Sequence, residues 1–316
     1  MPHQDVPHQR SYDIEREERM WSEVDRSIPF IETHHHLWEL QRFHYDWLTD
    51  PGWAGHNALI GDYKAIRVDW PIERLLKEFY GSNVIKSVHV EAAYAGSDPV
   101  EETEWLQGLA DEYGFPHALV VFCDIEQPDA EAQLERHTRF ANVRGVRIRA
   151  HPDDTESATF RSGYAALGRF GLSYELNASP GKLLSGRDVA AAFPDIQVIL
   201  GHAGFPIERG DEYFAQWRSE MTALAEAENV ACKISGFGMV DHDWTVESIR
   251  PWVLHCIEAF GVDRAMFGTN WPVDILYSSY LRQVDAYRWI LQSEGFSRED
   301  QEQMLFRNAE RFYRIG

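Results

Sequence analysis

A (β/α)8 TIM barrel, an α/β fold, is what this sequence predicts, and three observations carry the prediction. Eight short apolar, β-branched runs recur along the chain. Longer amphipathic stretches with helix-start signals separate them. No glycine-rich phosphate loop follows the first run, which argues against an open, doubly wound sheet. The length of 316 residues also suits one barrel, whose usual size is about 250 residues.

Taken in order, strands are expected at 28–33 (IPFIET), 85–92 (IKSVHVEA), 117–123 (HALVVFC) and 143–149 (VRGVRIR). Four more follow at 172–177 (LSYELN), 196–201 (IQVILG), 230–235 (VACKIS) and 264–269 (RAMFGT). The first helix, in DWPIERLLKEF, is given Asp69 as its N-cap and Pro71 in its first turn. The second, in DPVEETEWLQGLADEYG, starts at Asp98 and Pro99 and stops at Gly114. Helices are further expected near 129–139, 159–170, 181–193, 212–228, 246–260 and 280–294, with an extra C-terminal helix near 297–313. Residues 1–27 read as a polar arm with one short helix around DIEREERMWSEV. No low-complexity linker divides the remainder, so residues 28–316 are expected to form the barrel.

Composition narrows the function classes. With 51 acidic against 30 basic residues the net charge is -21, so nucleic acid and anionic membranes are repelled rather than bound. The three cysteines, Cys123, Cys232 and Cys256, form no CxxC pair and fit a reduced compartment. The N-terminus has no apolar run of the signal-peptide kind, and no stretch is long and apolar enough to span a membrane. The expectation is a soluble, cytoplasmic protein acting on a small molecule, with homo-oligomerisation left open.

Catalytic groups of such a barrel project from the C-terminal ends of its strands, and polar residues collect there. After the first strand stand His34, His35 and His36, where alternation puts His34 and His36 on one face and His35 on the other. Two imidazoles so placed suit a metal ion or a clamp on a carbonyl oxygen; solvated loop histidines are the bland alternative. The second strand aligns His89 with Glu91, and the fourth sends Arg147 and Arg149 to one face. Arginine favours carboxylate recognition, with internal ion pairing as the alternative. The fifth strand ends at Asn177, and the sixth places His202 between small residues in ILGHAG. The seventh aligns Lys233 with Ser235, and Asn270, Trp271 and Asp274 follow the eighth. The long segment after the first strand carries Trp38, Tyr45, Trp47 and Trp53, which either wall a pocket or pack over the barrel mouth.

The motifs ETHHHLW, GVR, ILGHAGFP, KISG and MFGTNWPV, in this order, resemble the amidohydrolase superfamily. They are most similar to the amidohydrolase-2 branch containing 2-pyrone-4,6-dicarboxylate lactonase, fuconolactonase and sulfomuconolactone hydrolase. The resemblance runs from Ile31 to the C-terminal NAERFYRI. It implies that His34 and His36 form the family's HxH pair, that His202 is its sixth-strand histidine and Arg147 its GVR arginine. It also implies that Lys233 to Gly236 form its K-x-S-G segment. A cyclic ester, with a carboxylate for Arg147, is then the implied substrate.

Three departures qualify the resemblance. Glu32 replaces the usual aspartate before HxH, Asn177 stands where metal-dependent relatives have histidine, and Asn270 replaces the eighth-strand aspartate. An amide neither takes a proton at neutral pH nor ligates metal well. No lysine ends the fourth strand, which argues against a carbamate-bridged two-metal centre. The expected enzyme is thus a lactonase-like hydrolase in which His34, His36 and His202 polarise a carbonyl. They would act either directly or through one divalent ion, zinc being the natural choice. Arg147 would anchor the substrate, with Trp38, Asn177, Lys233, Asn270 and Trp271 as further binding residues. Glu91 or Asp274 would be the base. A metal-dependent decarboxylase and a catalytically inactive ligand-binding barrel are the rival readings.

Overall fold

The structure, a computed structural model, describes residues 17, 19–53 and 55–316. Most of the expected N-terminal arm, with the first part of its short helix, lies outside them. The strands are β1 (Phe30–His35), β2 (Val84–Val90), β3 (Ala118–Phe122) and β4 (Val143–Arg147). They continue as β5 (Ser173–Leu176), β6 (Val198–Leu200), β7 (Val230–Ile234) and β8 (Ala265–Phe267). All pair in parallel with their chain neighbours, the order that encloses a barrel. Helices α1 (Ile72–Glu78), α2 (Val100–Tyr113), α3 (Ala130–His137) and α4 (Ala158–Arg169) follow the first four strands. Helices α5 (Leu183–Ala192), α6 (Asp211–Ala225), α7 (Val246–Phe260) and α8 (Tyr280–Ser293) follow the rest.

Two local expectations need correction. β1 does not stop before the histidines: its pairing with β2 runs on to His35↔His89, so two of the three histidines belong to the strand. Asp69 does not cap α1. Pro71 occupies that position, and Asp69 accepts a 2.7 Å bond from the Leu40 N–H, pinning the segment after β1 instead. Helix α2 ends as expected, with Gly114 at φ +75° accepting the left-handed turn.

The interior is layered. Ile31, Val88, Val90, Ala118, Val120, Ile199, Ala231 and Met266 fill the barrel and meet Phe312, Tyr313 and Ile315 of the C-terminal segment, which plugs the floor. Just above the plug, Lys233 Nζ donates to Thr33 O (3.1 Å), Glu175 Oε1 (3.0 Å) and Tyr313 OH (2.8 Å). All three ammonium protons are thereby used. Burying this pair is compensated by complete hydrogen bonding, and Lys233 belongs to the barrel floor.

The last gap, between β8 and β1, is bridged beyond the strand ends. Asn270 N–H donates to His34 O (2.8 Å), and His36 N–H donates to Trp271 O (2.7 Å). The buried Glu32 carboxylate crosses the same gap. Oε1 accepts from His34 N (2.8 Å) and Thr269 N (3.0 Å); Oε2 accepts from Thr269 Oγ1 (2.6 Å) and Tyr280 OH (2.8 Å). A bulge makes this compatible with the histidines. Between Glu32↔Ser87 and His35↔His89, β1 spends one residue more than β2. Glu32 can therefore turn to α8 while His34 and His36 turn inward.

Glu32→Ala should destabilise the fold by roughly 2–4 kcal/mol, since it strands buried backbone donors at the seam. Urea unfolding of the two proteins checks this; a loss below about 0.5 kcal/mol, typical of surface substitutions, would mean that the carboxylate is dispensable for closure.

Candidate active site

A cavity of about 410 Å³ opens at the C-terminal end of the barrel. His36, His202, Asp46, Asn57, Glu91, Arg147, Arg149, Asn177 and Asn270 make its polar wall. Trp47, Trp53, Ile60, Phe205, Met239 and Val273 make its apolar wall.

Two imidazoles, His36 and His202, line the cavity, and a third, the buried His34, packs against them without lining it. His34 lies with its ring centroid 4.3 Å from that of His202 and 5.0 Å from that of His36. Neither ring nitrogen of the buried His34 has a hydrogen-bond partner among the described residues. His36 Nδ1 lies 2.8 Å from Val90 O. A carbonyl only accepts, so the proton is on Nδ1 and Nε2 carries a lone pair. His202 Nδ1 meets Ser235 Oγ at 3.0 Å. Burial, the larger effect, and the positive charge of Arg147 push His36 down to about 4. Burial also holds His34 and His202 well below the usual histidine value, with neighbouring histidines, Lys233 and Arg147 adding to it. All three rings are neutral at neutral pH. His35 turns the other way, its Nε2 3.0 Å from Ser87 Oγ.

The loop carrying His202 is backbone-strained. His202, Ala203 and Phe205 have φ of +49°, +51° and +51°, a conformation that costs non-glycine residues about 1–3 kcal/mol each. Trp217 of α6 holds the turn by donating from Nε1 to Ala203 O at 2.8 Å. Gly236 makes room beside it: a Cβ there would lie 2.6 Å from His202 Nδ1, and φ is +72°.

The cations form a second cluster. Arg147 Nε donates to Glu91 Oε1 (2.8 Å) and its Nη2 to Glu91 O (2.6 Å), leaving Nη1 outside this pair. Arg149 lies 3.5 Å from Glu91 Oε2 and stacks on Phe122 at 4.1 Å. Burial pushes the Glu91 carboxyl up, but Arg147 and Arg149 outweigh it and hold it below the usual range. Glu91 is a saturated anion that orients guanidinium groups.

Asp274 does not line the cavity. It is fully buried behind Asn270, accepting from Asn270 Nδ2 (2.9 Å), Gly238 N (2.9 Å) and Gln283 Nε2 (3.0 Å). Burial pushes its carboxyl up to about 7 against the pull of these donors. Trp38 and Trp271 are also away from the cavity. Trp38 is wholly buried, donates from Nε1 to Val68 O and pairs its backbone with Trp70, closing the base of the long segment after β1. Trp271 packs against Tyr280 at the β8–β1 seam. Of the loop aromatics, Tyr45 is core, while Trp47 and Trp53 reach the cavity. His89 packs against His35 at 5.5 Å, away from the cavity that Glu91 enters.

Other contributors were not named by sequence reasoning as site residues. Phe205 and Met239 follow β6 and β7 directly, so position alone could have flagged them. Glu102 carried no signal, resembling any acid in the first turn of a helix. It is buried behind Glu91, accepts from Tyr45 OH, and is pushed up to about 8 by burial and by the charge of Glu91.

A family model described as amidohydrolase matches residues 31–315. The chain belongs to the amidohydrolase family. This amidohydrolase is 40% identical over 300 residues to the uncharacterized protein y4mH of Sinorhizobium fredii, covering 91% of this chain and 99% of that protein. It is 29% identical over 269 residues to an L-fucono-1,5-lactonase of Burkholderia multivorans, covering 79% and 84% of the two chains. A solved amidohydrolase of Burkholderia multivorans with bound zinc shares the fold at a TM-score of 0.77 and 25% identity, covering 91% and 100%. In this amidohydrolase, among the described residues, no three His, Cys, Asp or Glu side chains are grouped to hold a metal ion. The imidazoles of His34 and His202 lie in the field of Arg147 and Lys233. No described helix is long and apolar enough to cross a membrane.

Glu102 gives a pH prediction. Its folded value, about 8, stands above the ordinary 4.5, so the folded chain keeps a proton that the unfolded chain loses. That contribution is complete below about pH 4.5 and declines as pH rises towards 8. Glu102→Gln should flatten the fall in stability across this window, measured by denaturant midpoints at pH 5 and pH 8; an unchanged pH slope would count against a protonated Glu102.

Proposed function

We propose that this amidohydrolase hydrolyses a small cyclic ester bearing an anionic group, using its own side chains without a metal ion. The observation that carries the reading is one cavity lined by the neutral imidazoles of His36 and His202 and by two arginines, with the neutral ring of His34 packed against both histidines. The lactonase-named relative supports the reaction class.

The arginine pair supplies a local anion site within a chain of net charge -21. Arg147 Nη1, outside the Glu91 pair, is the donor for a substrate carboxylate, and Glu91 fixes its direction. The ring of the substrate rests against Trp47 and Trp53. His36 Nε2, an unprotonated acceptor, takes the proton of the attacking water, replacing Glu91 and Asp274 as the base. Both carboxylates are already saturated by donors. His34 and His202 each can turn an N–H toward the carbonyl oxygen: His34 has no other partner among the described residues, and Ser235 can donate to His202 Nδ1. Those bonds strengthen as the oxyanion forms. The ring C–O bond then breaks, the leaving alkoxide takes the proton from His36, and a hydroxy acid departs.

No group of three donors is set to hold a metal ion among the described residues, and the imidazoles sit in the field of Arg147 and Lys233, which disfavours a divalent ion there. Chelator-treated protein, verified metal-free, is therefore expected to release acid from a panel of carboxylated lactones. Activity that vanishes on chelation and returns with zinc would overturn the metal-free mechanism, and no acid release from any lactone would overturn the reaction class. Arg147→Met should raise KM for a carboxylated lactone by about tenfold or more while kcat changes less, as loss of uniform binding requires. An unchanged KM would assign Arg147 to internal ion pairing.

A further inference from the structure

Asn270 stands at the eighth-strand end of the cavity with φ +62°, held by its backbone to His34 O. Its amide has two ends of opposite character, and the surroundings dictate which end faces where. Nδ2 lies 2.9 Å from Asp274 Oδ1 and 3.7 Å from Met239 Sδ. A thioether only accepts, and so does Asp274 in the ionised form that the donors Gly238 N and Gln283 Nε2 favour, so the nitrogen faces them. Asn270 lines the cavity, and the oxygen is the end left for it. The side chain is also within hydrogen-bonding reach of the His36 ring. His36 Nε2 is itself an acceptor, because Nδ1–H is committed to Val90 O. Two acceptors side by side cannot bond each other. They call for a donor with two protons between them.

We propose that Asp274 is a positioning residue that locks the Asn270 amide with Oδ1 toward the cavity, so that Asn270 Oδ1 and His36 Nε2 together seat the attacking water. Each accepts one O–H, which leaves an oxygen lone pair for the substrate carbonyl; the proton held by His36 is the one transferred. The water-seating half rests on the hydrolase reading given above, whereas the amide lock does not. The buried carboxylate behind the eighth strand thus sets the polarity of the neutral group in front of it.

Asp274→Asn is the informative variant because it preserves shape. Gly238 N and Gln283 Nε2 both bond Asp274 Oδ2, so the new amide oxygen stays with those donors. Its NH2 then faces Asn270, which must rotate and send Nδ2 into the cavity. The acceptor becomes a donor, and the water loses its seat.

The lock is read without substrate. In 15N-labelled protein the Asn270 side-chain NH2 signals, assigned by their absence in Asn270→Ala, should exchange slowly in the wild type and rapidly in Asp274→Asn. Fast exchange in the wild type overturns the lock. Turnover of a carboxylated lactone reads the second half. Asp274→Asn and Asn270→Ala should each lower kcat about 30- to 100-fold with KM within about twofold, and the double variant should lose little more. A kcat within about twofold of wild type in Asn270→Ala overturns water seating even if Asp274→Asn fails to fold. Multiplicative losses in the double variant overturn the coupling of the two residues. Absence of all lactone turnover removes the hydrolase reading, while the exchange experiment still decides the lock.

Discussion

The Glu32 carboxylate is the constraint on which the active-site geometry depends. A barrel of eight strands must be closed where its first and last strands meet, and here that seam is held by one buried anion with four donors. The same bonds fix the backbone of His34 on one side and of Thr269, immediately before Asn270, on the other. Desolvating a carboxylate costs several kcal/mol, and burial pushes its proton affinity up. Four hydrogen bonds offset that cost and impose direction. Closure and site assembly are therefore one event rather than two.

Charge is organised outward from the three neutral imidazoles. The imidazoles are kept uncharged by burial and by nearby cations. Arg147 and Arg149 lie next, paired with Glu91, and Glu102 sits behind with its carboxyl pushed up to about 8. The negative field of the whole chain is screened over about 8 Å at physiological salt. The same cavity also holds Glu91 and Asp46, so its arginines offer a ligand directed N–H donors rather than a net positive charge. Lys233, by contrast, spends its three protons on the barrel floor and acts on the site through its charge alone.

Rigidity at the rim comes from conformations that cost energy. The turn at His202 to Phe205 and the left-handed Asn270 persist because Trp217, Gly236 and Asp274 leave no relaxed alternative. The opposite wall is more loosely derived. Trp47 and Trp53 come from the long segment after β1, whose base is tied by the Trp38–Trp70 backbone pair.

The sequence by itself determined the barrel, the position of its eight strands and helices, and the clustering of His34, His36, His202 and Arg147 at one end. Hydrophobic periodicity reports which residues face the core, and strand ends report which residues face the mouth; both are local properties of the chain. Alternation along β1 also separates His35 from its neighbours, but it would have placed Glu32 with His34 and His36. Only the bulge set by pairing with β2 sends Glu32 to the seam. Tertiary structure likewise decided that Lys233, Trp38, Trp271 and Asp274 lie away from the cavity, and that Glu102 stands behind it. The hydrogen-bond partners of buried charges come from other elements of the fold, Thr33, Glu175 and Tyr313 for Lys233 and Asn270, Gly238 and Gln283 for Asp274. Whether a buried lysine or aspartate has any donor or acceptor left for a substrate is therefore settled only when those partners arrive.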